Sequence, residues 1–454
     1  MSTLGDLTVA KIDQSGPPKA GEFTYIDISS IDNKLKRIVD SKCLPVTAAP
    51  GRAKQRLQPG DVLVSMTRPN LNAVAIVSPD LKGAIGSTGF HVLRAVDGIE
   101  SRWLLYAVQT HDFVETMSSL VQGALYPAVR PKDIRAFSIE APPFDEQQQI
   151  VAEIEKQFSC LDEAIATLKR VKANLNRYKA AVLKAAVEGE LTEEWRKEHP
   201  DVEPASKLLE HILAERRAKW IGKGKYKEPS TPDTGTLPTL PEKWTWTNVD
   251  QLAEVGTGAT PRRGKSQYYT GGHISWVTSS ALNREYVDKA DEFVTDTALQ
   301  ETNLTLYPPG TLLLAMYGEG RTRGKCSELR IDATTNQAIA AIQCAGKVRD
   351  YLKLAIWNQY EDLRRTASGG VQPNLNLSLV RSITIPFPPL IEQQRIVAEV
   401  ERRLSVIEEL QAVVEADLTR ADRLRQAILN SAFSGKLVAM GKTPAHSSVS
   451  AVVS

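Results

Sequence analysis

Cysteine is scarce and scattered. Cys43, Cys160, Cys326 and Cys344 are the only four in 454 residues, and no two stand in a CxxC spacing. That argues against a disulfide framework and against a zinc cluster. Six histidines show no HExxH or paired-ligand spacing, and the carboxylates do not gather into a nuclease-like set. Core or surface roles are the default for all of them. No apolar run reaches membrane length, and the first residues lack a basic-then-apolar signal. A cytoplasmic protein with no membrane partner is therefore expected. Charge of one sign is lacking too: 56 Lys and Arg face 54 Asp and Glu, a net +2 that neither favours nor disfavours nucleic acid. The chain is too long for one hydrophobic core, so two or three domains are expected.

What the chain does contain is one stretch twice. Pro142–Leu191 (PPFDEQQQIVAEIEKQFSCLDEAIATLKRVKANLNRYKAAVLKAAVEGEL) and Pro388–Leu437 (PPLIEQQRIVAEVERRLSVIEELQAVVEADLTRADRLRQAILNSAFSGKL) align without a gap, with more than a third of positions identical. Ile150, Ile154, Phe158, Leu161, Ile165, Leu168, Leu175, Tyr178 and Val182 recur every three or four residues in the first copy. Ile396, Val400, Leu404, Ile407, Val414, Leu418, Leu424 and Ile428 do so in the second. That spacing predicts two long helices with heptad-like seams. Each opens after Pro-Pro and closes on a glycine, Gly189 or Gly435. Two such stripes in one chain are most simply buried against each other.

The residues before each helix read as compact mixed domains. Phe23–Ile28, Asp61–Met66, Val74–Val77 and Phe90–Arg94 are short β-branched or aromatic runs bounded by turn residues, which is strand grammar. Trp103–Met117 has helical spacing, as does Ala205–Trp220, and Lys223–Pro241 reads as a linker. The repeat extends upstream: Gly123, Pro127, Arg135 and Ile139 match Gly369, Pro373, Arg381 and Ile385, and the PGDVLVSM at 59–66 matches the PGTLLLAM at 309–316. The expected fold class is α+β: two mixed α/β domains separated by two long helices forming an antiparallel coiled coil, a pseudo-two-fold tandem repeat. The expected segments are 1–141 (first domain), 142–231 (first long helix, a short helical extension and linker), 232–387 (second domain), 388–437 (second long helix) and a disordered tail, 438–454.

Enzyme motifs fail on inspection. Ala141-Pro142-Pro143-Phe144 has the Pro-Pro-aromatic of an adenine-methyltransferase loop but not its polar residue, and no strand-then-Gly-rich cofactor site precedes it. Gly258–Ser266 ends in GKS like a phosphate loop. Its first glycine is one residue too far away, and Pro261 removes an amide that phosphates would need.

This pattern resembles the specificity subunits of Type I restriction–modification systems over nearly the whole chain. The most specific parts are PPFDEQQQIVAEIE, PPLIEQQRIVAEVE and the helix ends AAVEGELTEEWRKEHPD and SAFSGKL. The resemblance implies two target-recognition domains, each reading one half of a bipartite asymmetric sequence in double-stranded DNA. It implies no catalysis and no cofactor in this chain. S-adenosylmethionine, ATP and Mg are expected on partners: two modification subunits that methylate adenine, and motor-nuclease restriction subunits. One departure is visible. The second domain opens with LPEKWTW (240–246), whereas the first reaches Phe23–Ile28 within a couple of dozen residues, which leaves open what completes its edge. The alternatives are a coiled-coil scaffold without DNA readout and a free-standing DNA methyltransferase or ATPase.

Basic clusters in Gly-rich loops are the candidate DNA contacts: Arg262, Arg263 and Lys265 in TPRRGKS, and Arg321, Arg323 and Lys325 in YGEGRTRGK. Their nearest counterparts in the first domain are Arg68, Asn70 and Asn72, in TRPNLN. Arg and Asn suit bidentate contacts to guanine and adenine edges, against the plain alternative of a solvated loop. The segments GALYP (123–127) and GGVQPN (369–374) are weaker candidates whose alternative is turn chemistry. Glu146, Gln147, Gln148, Glu392, Gln393 and Gln394 open the two helices, and a partner contact there competes with simple helix capping.

Overall fold

The computed structural model describes residues 1–121, 127–221, 225–318, 322–368 and 374–436. Arg321, residues 123–126, residues 369–373 and the tail from residue 437 lie outside them. The chain forms two compact units, Met1–Val171 with Val413–Ser454, and Lys172–Ala412.

In the first unit, β7 (Val62–Ser65) is the middle of a three-stranded sheet between β10 (Phe90–Leu93) and β8 (Val74–Ile76). Alternation decides which core each residue enters. Val62 and Val64 join the cluster of Leu4, Trp103 and Ile154, while Leu63 joins that of Ile26, Ala75 and Phe90. A second sheet runs β5 (Lys42–Pro45), β2 (Glu22–Ile26), β9 (Ile85–Ser87), β6 (Ala53–Arg56). A short hairpin joins β3 (Ile31–Asp32) to β4 (Arg37–Ile38), and β1 (Ser2–Thr3) pairs with β11 (Ser138–Ile139). The helical stretch expected at Trp103–Met117 is two helices, α1 (Ser101–Ala107) and α2 (His111–Ser119), because the Thr110 hydroxyl caps the second at Phe113 N. α3 (Pro131–Arg135) follows, then α4 (Phe144–Val187).

The second unit opens with α5 (Glu193–Glu198) and α6 (Ala205–Ala218). Its larger sheet has the order β13 (Ala253–Thr257), β20 (Ile339–Cys344), β17 (Leu312–Ala315), β18 (Cys326–Leu329), β15 (Tyr286–Val287). Its smaller sheet is β16 (Glu292–Val294), β14 (Ile274–Val277), β19 (Thr334–Thr335). β12 (Thr245–Asn248) pairs with β21 (Thr384–Phe387). The helices are α7 (Val249–Leu252), α8 (Asp296–Glu301), α9 (Gly346–Asn358), α10 (Tyr360–Ser368), α11 (Leu377–Arg381) and α12 (Leu390–Phe433).

Both expected long helices are 44 residues. They end where glycine takes a positive φ, +78° at Gly189 and +74° at Gly435, a conformation other residues resist. Within the first unit, Ile150, Ile154 and Phe158 pack with Ile428 and Leu429, and the Arg425 guanidinium lies 4.4 Å from the Phe158 ring centre. Within the second, Ile396, Val400 and Ile407 share a core with Val182 and Val187. There Asn176 bonds Gln411 and Lys179 pairs with Glu408, so a step forward on one helix is a step back on the other. Tyr178 and Leu424, placed on the seam by spacing, are about half exposed, because a heptad stripe drifts around an α-helix.

Candidate nucleic-acid interface

In the second unit four loops meet. The loop after β13 is fixed by Ala259 N donating to Thr335 O at 3.0 Å. Gly258 crosses so close that a Cβ would lie 1.6 Å from the Thr335 carbonyl oxygen. The Thr260 hydroxyl reaches Gln337 Oε1 at 2.5 Å. The β17–β18 loop is tied to the β19–β20 turn by Met316 N donating to Ala338 O (2.8 Å). It is tied to the turn after β14 by Lys325 Nζ donating to Asn283 Oδ1 (2.8 Å), which also accepts from Thr322 at 3.4 Å. Asn336 N closes the ring on Val277 O at 3.0 Å.

The first unit repeats this plan. Val62 pairs with Ile76 as Leu312 pairs with Glu328, so the 66–73 and 316–325 loops join equivalent strands. Met66 N donates to Gly89 O as Met316 N does to Ala338 O. Lys36 Nζ, on the β3–β4 hairpin, donates to Asn72 Oδ1 at 2.8 Å and to the Asn72 carbonyl. Burial pushes the Lys36 ammonium down to about 8, with repulsion from Arg425 adding to it. Asn72 Nδ2 donates to Val108 O at 2.8 Å, so both ends of this amide are engaged within the domain.

The candidate residues thus divide. Arg68 and Asn70 project from an exposed turn around buried Pro69. Arg262, Arg263 and Lys265 are all exposed. Arg263 is held by Glu292 at 2.7 Å and lies over the Tyr269 and Trp276 rings at 5.3 and 5.1 Å. Lys265 bonds the Tyr268 hydroxyl at 2.8 Å, with Glu301 at 3.6 Å. Among the described residues Arg262 has no side-chain partner, which leaves it the freest cation of the cluster. Arg323 and Lys325 are half-buried at the loop base.

Three of the six helix-opening residues turn inward. Gln147 accepts from Glu100 N at 2.9 Å and donates to Pro142 O at 2.8 Å. Gln393 repeats the second bond, to Pro388 O at 2.8 Å. Glu392 is 1 % exposed and takes bonds from Arg196 and Thr192, both 2.6 Å, and from Trp244 Nε1 at 2.8 Å. Only Glu146, Gln148 and Gln394 face outward.

Four features at these surfaces are not expected from the sequence: Asn283, Gln337, Arg52, whose carbonyl accepts from Thr88 N, and the hairpin tip Lys34–Arg37, where Leu35 is 63 % exposed. Asp32 accepts from the amides of Lys34 and Leu35, which makes that tip a fixed turn. The Asp32-Asn33 pair between two short apolar runs was the available signal. Among the described residues no group of His, Cys, Asp and Glu could hold a metal. No described helix is long and apolar enough to cross a membrane.

Two mixed α/β domains, each followed by a long helix, present polar surfaces of loops tied in equivalent ways. A family model described as "Type I restriction modification DNA specificity domain" matches residues 241–415. The EcoDI specificity subunit of Escherichia coli is 26 % identical over 328 residues, 70 % of this chain and 66 % of that protein. The EcoKI specificity subunit of Escherichia coli K12 is 24 % identical over 402 residues, 86 % of this chain and 77 % of that one. Among solved structures, one described as "Structural basis underlying complex assembly and conformational transition of the type I R-M system" superposes with a TM-score of 0.71 at 24 % identity. It covers 96 % of this chain and 97 % of that one. The HsdS subunit from Thermoanaerobacter tengcongensis gives 0.51 at 24 % identity, covering 95 % and 96 %. These two likenesses bear on the fold. Residues 241–415 thus match a Type I restriction modification DNA specificity domain, and over most of its length the chain is similar to Type I specificity subunits.

Proposed function

We propose that this chain is the non-catalytic subunit that gives a Type I restriction–modification complex its DNA sequence specificity. Each domain reads one half of a bipartite, asymmetric duplex target. Two modification subunits, carrying S-adenosylmethionine, methylate adenine, and motor-nuclease subunits with ATP and Mg dock on the same assembly in the cytoplasm. The observation that carries this reading is the pair of loop surfaces: equivalent strands hold equivalent loops, yet the side chains on them differ. Arg68 and Asn70 stand on the loop where the second domain has Arg323 and Lys325. A shared scaffold with different loop chemistry suits two unlike half-sites.

The near-zero net charge fits a protein that does not grip phosphates alone, since counterion release scales with the phosphates neutralised. The proposed segments are 1–141 and 232–387 for recognition, and 142–231 and 388–437 for the helices. Co-expression with the cognate modification subunit, followed by methylome sequencing, tests the function. A single bipartite, asymmetric methylated motif is expected. S-adenosylmethionine or ATP binding by the isolated chain, or methylation without a bipartite motif, overturns it.

A further inference from the structure

The turn between β19 and β20 carries an amide already oriented. Gln337 is exposed, its Oε1 accepts the Thr260 hydroxyl at 2.5 Å, and no described residue accepts from its Nε2. Both anchors are rigid. Thr260 follows the close crossing of Gly258 on Thr335, and Asn336 Oδ1 accepts from Ala338 N at 3.1 Å, which fixes the turn. A free glutamine at a surface loses rotamer freedom when it binds. Here the threonine has removed much of that loss beforehand.

We propose that Gln337 reads an adenine in the half-site of the second domain, a step that rests on the function proposed above. Its Oε1 keeps one lone pair for the adenine N6–H, and its Nε2 donates to N7, the two-point pattern by which a glutamine distinguishes adenine in the major groove. Thr260 acts as a positioning residue, holding the amide in the rotamer that presents both groups. The surroundings suit such a contact. Arg262, on the same loop as Thr260, is the exposed cation without a described side-chain partner, and can meet a phosphate while the amide meets the base. In the first domain the equivalent position is Thr88, whose amide donates to Arg52 O. A hydroxyl there and an amide here give the two domains different readers at one structural address.

The plain alternative is a tie between two loops with no part in recognition. Methylome sequencing of cells carrying the complete complex separates the two. Gln337→Ala should relax one adenine position in one half-site, with discrimination there falling roughly tenfold or more, while the other half-site keeps its sequence. Gln337→Glu exchanges a donor for an acceptor and should move the preference at that position toward cytosine. Thr260→Val should relax the same position more weakly. A motif unchanged in all three variants overturns the proposal, as does a loss spread equally over both half-sites. So does a lowered melting temperature with the motif intact, which is the signature of a tie. A wild-type methylome without a bipartite motif instead overturns the function on which the proposal rests.

Discussion

Lys325 and Asn283 are joined by a 2.8 Å hydrogen bond that fastens the β17–β18 loop to the turn after β14. The first domain has the same link with the residues exchanged: Lys36 stands on the segment after β2 and Asn72 on the β7–β8 loop. The lysine and the asparagine have traded elements, yet the loop is fastened to the same neighbour. What the duplication has kept is a geometry, not a pair of positions. The loop base is fixed in both domains, and the side chains beyond it are free to differ.

The exchange has unequal energetic weight. Asn72 holds a half-buried ammonium and also bonds Val108 O, whereas Asn283 is exposed. Asn72→Gly tests this without adding backbone strain, since Asn72 sits at φ +46°. It should cost about 1–3 kcal/mol, because Val108 O loses its donor and Lys36 keeps only the backbone carbonyl of residue 72. Asn283→Ala should stay within about 0.5 kcal/mol. Urea denaturation of each variant measures both; equal costs would mean the first link is as solvated as the second.

The duplicated glutamates give a second contrast. Glu392→Ala leaves Arg196 without the carboxylate it meets at 2.6 Å in a buried setting, and should destabilise the chain by about 3–5 kcal/mol. Glu146→Ala, at the equivalent exposed position, should be near neutral. The triple variant Glu146→Ala, Gln148→Ala, Gln394→Ala should therefore keep its melting temperature. If these outward residues contact the modification subunit, co-purification with it falls; full recovery of the complex removes that role.

This pair also shows what the sequence reveals and what it hides. Copies of a helix at constant offset are visible in the letters, and so are strands such as Val62–Ser65, because periodicity is local. The inward turn of Glu392 is not, since its partners Thr192, Arg196 and Trp244 stand 148 to 200 residues away. The loops at 66–73 and 316–325 were found through their basic or amide-rich sequence. Asn283 and Gln337 do not stand out, because a lone amide in a turn looks like any other turn residue until a neighbour is seen to orient it.

Acid should weaken the first domain through His91. Burial holds its imidazole down to about 4, with Arg135 adding to the effect, and its Nε2 is buried without a partner. The folded-state pKa lies below that of the unfolded chain, about 6.5. Between those values the unfolded state binds the extra proton, so stability is fully present above pH 6.5 and is lost as pH falls toward 4. Chemical denaturation at pH 7, 5.5 and 4.5 should show this loss, and His91→Leu should flatten it. A variant with the same slope as the parent would assign the acid sensitivity to carboxylates instead.

The two arginines of TPRRGKS should behave oppositely. Arg263 is committed to Glu292 and to the Tyr269 and Trp276 rings, so Arg263→Ala should cost stability, about 0.5–1 kcal/mol at so exposed a site. Arg262 has no such duty and should touch only DNA. If it meets a phosphate, Arg262→Ala weakens binding of every sequence alike and lowers the salt dependence by about one unit of slope. If it meets a base, specificity relaxes at one position of the second half-site and the slope barely changes. Arg323→Ala with Lys325→Ala should likewise act on the second half-site alone, and Arg68→Ala with Asn70→Ala on the first. Titrations of the assembled complex at two salt concentrations, beside methylome sequencing, separate these outcomes. A Lys325 or Arg68 variant that degrades both half-sites equally would show that the loops support the fold and do not read the sequence.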